Sequence, residues 1–136
     1  MVDNKLLQLK IKQIRQEASG IHSYELVSED GNTLPPFDAG SHIDLHLPSG
    51  IIRQYSLSND PVEANRYVVG VLLDEQGRGG SKEVHQALRV GDSLLTSYPR
   101  NHFQLDESAK KVILLAGGIG ITPLKSMGHR LKSLGL

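Results

Sequence analysis

The sequence predicts a mainly β protein: a six-stranded antiparallel Greek-key barrel with one short capping helix, followed by the first βα unit of a parallel-sheet domain. Three observations predict it. Apolar and polar residues alternate along most of the chain, the pattern of strands with one buried and one wet face. Gly and Pro clusters interrupt that alternation at short intervals, which sets short strands joined by turns, and closing such strands into a barrel removes exposed edges. Near residue 109 the texture changes to an all-apolar run, a glycine cluster and then a helical period.

The elements follow in order. Leu7, Leu9 and Ile11 alternate with Gln8, Lys10 and Lys12, giving a first strand. Tyr24 and Leu26 mark a second after the break at Gly20, and Asp30-Gly31-Asn32 with Pro35-Pro36 punctuates the loop behind it. Ile43, Leu45 and Leu47 alternate with His42, Asp44 and His46, and the turn Pro48-Ser49-Gly50 returns the chain as a hairpin through Ile51 to Ser58. The nearly continuous apolar run from Tyr67 to Leu73 reads as a central strand. Gly77-Arg78-Gly79-Gly80-Ser81 then leads into a short helix, Ser81 to Leu88, with Ser81 as its expected N-cap. Leu94 to Ser97 completes the barrel. Val112 to Ala116 reads as a strand apolar on both faces, and Thr122-Pro123 opens a helix carrying Leu124, Met127, Leu131 and Leu134 at helical spacing.

Composition narrows the function. The 136 residues carry 15 Lys and Arg against 15 Asp and Glu, so there is no basic surface for nucleic acid or anionic lipid. The chain has no cysteine, which excludes disulfides, a thiol nucleophile and a cysteine-held iron–sulfur cluster on these residues. No apolar run reaches the roughly 20 residues of a membrane helix, and Met1-Val2-Asp3-Asn4 lacks the order of a secretory signal, so the expected location is cytoplasmic.

Two segments carry chemistry. Arg53-Gln54-Tyr55-Ser56-Leu57-Ser58-Asn59 offers a guanidinium fork, a flat aromatic wall and backbone donors on one strand. Gly79-Gly80-Ser81 places small residues before a helix, where unsatisfied N–H groups and the dipole attract an anion, with Arg78 and Lys82 adding charge. Taken singly, the first also describes an ordinary solvated strand face and the second an ordinary turn and cap. Gly117-Gly118-Ile119-Gly120 alone is a weak dinucleotide signal that departs from G-x-G-x-x-G. His42, Asp44 and His46 share a strand face and could in principle hold a metal, but a solvated outer face is the simpler reading and no metal is expected. The scattered His22, His85, His102 and His129 suggest nothing specific.

At these residues the chain resembles the ferredoxin–NADP reductase superfamily, and within it the phthalate dioxygenase reductase and vanillate O-demethylase reductase branch. The resemblance spans nearly the whole chain, through RQYSLSN at 53–59, GRGGS at 77–81 and LLAGGIGITPLKSM at 114–127. It implies an FMN-binding barrel at 1–108 and the start of a Rossmann-like NAD(P) domain at 109–136. It implies that Arg53 contacts the FMN phosphate, that Tyr55 packs along the ribityl chain and ring, and that Ser56 sits near the reactive flavin nitrogen. Gln54, Leu57, Gly70, Val71 and Leu72 are further cofactor contacts by the same resemblance. Gly79, Gly80 and Ser81 would cradle the phosphate with Arg78 nearby. Thr122 would face the flavin from the nucleotide side, and Gly117, Gly118 and Gly120 would let NADH approach the backbone.

The implied activity is hydride transfer from NADH to FMN and release of single electrons to a [2Fe–2S] centre and a Rieske-type aromatic oxygenase. In this branch that centre is cysteine-ligated, so it is expected in an intact family member and not on these residues. With most of a nucleotide domain absent, the chain alone is expected to turn over NADH slowly or not at all. If the chain is complete, the apolar run at 112–116 is expected to be covered by dimerisation, domain swapping or the barrel. An FAD-using member of the superfamily and a non-catalytic flavin-binding module are the competing readings.

Overall fold

The computed structural model describes residues 5–115 and 118–135. Seven strands form one antiparallel sheet: β1 (Leu6–Ala18), β2 (Ile21–Ser28), β3 (Ser41–His46), β4 (Ile52–Ser56), β5 (Tyr67–Leu72), β6 (Ser93–Ser97) and the two-residue β7 (Arg100–Asn101). Helix α1 (Gly80–Ala87) lies between β5 and β6, and a 3-10 turn at Gly118–Gly120 leads into α2 (Ile121–Ser133). The six principal strands are those the alternation predicts, and β7 is the addition.

Across the sheet the order is β4-β3-β6-β1-β2-β5, with β7 also paired to β3. Sequence neighbours β1 and β2 pair as a hairpin, as do β3 and β4, while β6 inserts between β3 and β1. The inward residues of β1, β2 and β3 are those of the period-two reading: Leu9, Ile11, Tyr24, Leu26, Ile43 and Leu45. Strand β5, expected as a central strand from its continuous apolar run, is instead an edge strand that buries Tyr67, Val69 and Val71 and leaves Leu72 exposed. All of these inward residues are at most 2% exposed and form one core. Within the core Tyr67 meets Phe37 edge to face, with ring centroids 5.7 Å apart, and its hydroxyl donates to the Pro35 carbonyl.

The barrel does not close by a ladder. The sheet's two edges, β4 and β5, meet at a single bridge, Leu57 to Val69, with the Ser58 N–H donating to the Val68 carbonyl at 2.9 Å beside it. From there toward Arg53 on one strand and Leu72 on the other no pairing continues among the described residues. That seam is where the candidate site lies.

Two expectations are corrected. The N-cap of α1 is Gly79, at φ 93°, and not Ser81, whose hydroxyl is turned back to the Asp74 backbone N–H at 2.9 Å. A positive φ of this size is one that glycine adopts without strain, and no side chain caps the helix. The apolar run expected as a strand at 112–116 forms none over residues 112–115, where Ile113 and Leu115 are 72% and 85% exposed; Ala116 lies outside the described residues. A strand apolar on both faces needs paired neighbours and covering helices, and among the described residues none flanks it. The helix that follows forms as expected and packs Leu124 and Met127 against Ala39, with Leu105 alongside; Leu134, at its end, is exposed.

Candidate functional site

A cleft of about 490 Å³ opens along the β4–β5 seam. One wall is β4, with Arg53, Gln54, Tyr55 and Ser56; the other is β5 and its exit, with Gly70, Leu72 and Asp74. The glycine loop and the start of α1 close one end through Gly77, Arg78, Gly80 and Ser81, and Ile119, Gly120, Thr122 and Pro123 close the other. Segments far apart in sequence therefore share one hollow, of a size suited to a cofactor.

Alternation on β4 explains part of this. Leu45 of β3 stands opposite Arg53 and Ile43 opposite Tyr55, so the ladder that buries Ile43 and Leu45 also fixes where these two side chains leave the sheet. Arg53 donates through Nη1 to the Ile52 carbonyl at 2.9 Å and lies across the first turn of α1. Contact there is close: an ideal Cβ on Gly80 would sit 2.5 Å from Arg53 Cγ and 2.6 Å from Nε. Only glycine lets the guanidinium stem reach the helix start. The α1 N-terminus has no side-chain cap, so its first-turn N–H groups and the positive end of its dipole share this end of the cleft with Arg53.

The helix is held from behind. Tyr24 donates its hydroxyl to the Val84 carbonyl at 3.3 Å, and His85 donates through Nε2 to the Val71 carbonyl at 2.7 Å. Glu83, in the first turn, accepts from the Ser49 N–H at 3.0 Å and from the Ser49 hydroxyl, which ties α1 to the β3–β4 turn and occupies that carboxylate. Burial raises the Tyr55 hydroxyl above its ordinary range, opposed by Arg53, so the ring stands as a neutral flat wall.

At the other end the 3-10 turn and the start of α2 approach β5 closely. An ideal Cβ on Gly70 would lie 3.1 Å from Thr122 Cγ2 and 3.7 Å from Ile119 Cδ1. Thr122 presents its methyl group there, while its hydroxyl donates to the Ile119 carbonyl at 3.2 Å. Pro123 sits in the first turn of α2, where a missing N–H loses no helical bond.

Of the residues singled out from sequence, Arg53, Gln54, Tyr55, Ser56, Gly70, Leu72, Arg78, Gly80, Ser81, Gly120 and Thr122 line the cleft. Leu57 and Val71 do not: both side chains are fully buried in the core, Leu57 beyond β4 at the bridge where the two sheet edges meet and Val71 on the face of β5 opposite Gly70 and Leu72. Gly79 stands just outside as the helix cap, Gly118 belongs to the 3-10 turn, and Gly117 lies outside the described residues. Asp74, Ile119 and Pro123 were missed. Asp74 was legible as an Asx turn before a glycine run; Ile119 and Pro123 needed the folding of α2 onto β5.

The histidines also depart from the sequence reading. His22 and His85 stack, with ring centroids 4.2 Å apart and planes 15° from parallel. His42 is buried rather than solvated, its ring 5.2 Å from that of His102, while Asp44 pairs with Arg100 at 2.6 Å. Among the described residues no three His, Cys, Asp or Glu side chains gather as metal ligands. Burial, reinforced by His85, lowers the His22 pKa, and burial with Arg100 and His102 lowers that of His42 against the pull of Asp44. Both groups bind a proton more readily in the unfolded chain. Their contribution to stability is thus full above the ordinary value of 6.5 and is lost as pH falls below it. The midpoint of thermal unfolding is expected to drop between pH 7 and pH 5, and His22→Asn to flatten that drop; an unchanged profile in the variant counts against the assignment.

Among the described residues no helix is long and apolar enough to cross a membrane. No protein-family model matches the chain. It is 54% identical over 122 residues to the vanillate O-demethylase oxidoreductase of Acinetobacter baylyi, covering 90% of this chain and 38% of that protein. It is 46% identical over 134 residues to the phthalate dioxygenase reductase of Burkholderia cepacia, covering 98% and 42%. The structure of a phthalate dioxygenase reductase, described as modular for electron transfer from pyridine nucleotides to [2Fe–2S], superposes with a TM-score of 0.94 at 47% identity, over 96% of this chain and 41% of that one. The chain thus spans about two fifths of the length of these relatives. With the seam cleft, the RQYS strand and the glycine-loop helix start in the positions described, the chain belongs to the phthalate dioxygenase reductase and vanillate O-demethylase reductase branch of the ferredoxin–NADP reductase superfamily.

Proposed function

We propose that the seam cleft holds FMN and that the chain is the flavin portion of an NADH-dependent oxidoreductase serving a Rieske-type oxygenase through a [2Fe–2S] centre. The observation that carries the reading is the convergence of Arg53, Gly80 and the uncapped start of α1 at one end of a cleft whose wall is Tyr55. The residues fit the group. Arg53 and the first-turn N–H groups suit a phosphate, Gly80 lets the Arg53 side chain lie against that helix start, and Tyr55 gives a flat neutral face for a ring system. When bound, a flavin supplies conversion between two-electron and one-electron transfer.

This chain's own residues bind and orient. Arg53 and α1 fix the anionic end, and Tyr55 with Leu72 excludes water from the wall. Ser56, for whose hydroxyl no protein partner is found among the described residues, is available to donate toward a ring nitrogen. Gly70 lets Thr122 and Ile119 close over the nucleotide side, where NADH is expected to approach. The chain has no cysteine, so an iron–sulfur centre held by thiolates does not fit these residues, and the acceptor lies outside them.

The test is the absorbance spectrum of the purified chain, release of its chromophore by acid, and titration of the colourless form with FMN, FAD and riboflavin. FMN in the extract, or saturable FMN uptake at one equivalent with weaker riboflavin uptake, is expected. Release of FAD would move the chain to the FAD-using members, and failure to take up any flavin would remove the proposal.

A further inference from the structure

We propose that Asp74 is a positioning residue for the anion end of the cleft, holding the glycine loop so that α1 presents its first turn to a phosphate. The inference rests on the FMN reading and deepens it. Asp74 lies at the β5 exit and takes part in four hydrogen bonds that fold the loop between β5 and α1 back onto it, through Gln76, Gly77 and Ser81. Its N–H donates to Ser81 Oγ at 2.9 Å, and its carbonyl accepts from the Ser81 hydroxyl at 3.5 Å and from the Gly77 N–H at 3.2 Å. Its carboxylate Oδ1 accepts from the Gln76 N–H at 3.1 Å, closing an Asx turn. An ideal Cβ on Gly77 would lie 2.9 Å from Oδ2, so the loop is folded tightly onto this carboxylate.

The consequence reaches α1 through Ser81. Because the Ser81 hydroxyl is engaged with Asp74, it does not cap the helix, and the cap falls to Gly79, which has no side chain to cover the first-turn N–H groups. The two bonds to Ser81 use the main chain of residue 74, and the carboxylate acts on them through the Asx turn to Gln76 that holds that main chain in place, which leaves the helix start open beside Arg53. A carboxylate lining the same cleft opposes an anion electrostatically, while its turn builds the loop that receives one. The two effects have opposite sign, and two substitutions separate them: Asp74→Ala removes charge and turn together, whereas Asp74→Asn removes the charge and keeps an oxygen acceptor for Gln76.

The experiment is a fluorescence titration of the 136-residue chain with FMN and, in parallel, riboflavin, for the parent, Asp74→Ala, Asp74→Asn and Arg53→Ala. Asp74→Ala is expected to weaken FMN roughly 3- to 10-fold, the range of one lost hydrogen bond, with riboflavin unchanged. Asp74→Asn is expected to bind FMN at least as tightly as the parent. The inference is overturned, and the FMN reading stands, if Arg53→Ala selectively weakens FMN while Asp74→Ala does not, or while Asp74→Asn is as weak as Asp74→Ala. Equal loss of FMN and riboflavin in Asp74→Ala also overturns it, since that marks general damage to the loop. A parent that binds no FMN, or an Arg53→Ala chain with undiminished FMN affinity, removes the FMN reading and the inference with it.

Discussion

An Arg53→Ala chain is expected to bind FMN roughly 10- to 100-fold more weakly than the parent while keeping its riboflavin affinity. The size follows from the loss of a charge-assisted hydrogen bond to an anion, about 1.5–3 kcal/mol. Selectivity follows from position. Arg53 lies across the first turn of α1, with Gly80 against its stem, so its charge adds to the helix dipole at one end of the cleft, whereas the ring wall is built by Tyr55. The side chain is half-buried and, among the described residues, hydrogen-bonds only the backbone of Ile52, so truncation removes little of the core. Unfolding monitored beside the titration should change by no more than a few tenths of a kcal/mol. Equal loss of FMN and riboflavin, or a large fall in stability, would mean that Arg53 supports the barrel and not a phosphate.

Leu45→Ala is expected to be the most damaging of single core truncations near the site, at about 2–5 kcal/mol and on the order of 10 °C in the unfolding midpoint. Leu45 is 1% exposed on β3, a strand paired on both sides, with Arg53 of β4 opposite it on one and Thr96 of β6 on the other. Shortening it leaves a cavity between these two pairings, and relaxation of β4 into that cavity moves Arg53, so FMN affinity should fall as well. The contrast is Leu95→Ala on the neighbouring strand, 43% exposed, which should change stability by about 0.5 kcal/mol or less. Similar losses in the two variants, measured by calorimetry, would place the core elsewhere.

How far the sequence alone could be read varied by element. The strands carrying Leu9, Ile11, Ile43 and Leu45 were legible because burial of one face repeats every second residue, and such a pattern needs no knowledge of which strand lies beside which. The Arg53 and Gly80 segments were legible as types of chemistry for the same local reason. The reading of His42, Asp44 and His46 as a solvated outer face failed at His42, because burial of His42 and the Arg100 partner of Asp44 arise from β7, a two-residue strand with no periodic signature. The stack of His22 on His85 joins residues 63 positions apart and had no local trace.

What the sequence by itself determined is the identity of the six principal strands, the inward set of those that alternate, and the groups available at the site: a guanidinium, an aromatic wall, a glycine-rich helix start. Those follow from residue type and spacing, which are local. Only the tertiary structure decided that the β4 and β5 edges meet at one bridge and then part, so that the sheet leaves a seam. It alone decided that α1 and the 3-10 turn fill the two ends of that seam, that Gly79 and not Ser81 caps α1, and that Leu57 and Val71 turn into the core. The residues at 112–115 follow the same rule in reverse. Their apolar pattern specifies a strand, but a strand is stabilised by its neighbours, and pairing is a property of the assembled sheet and not of any one segment.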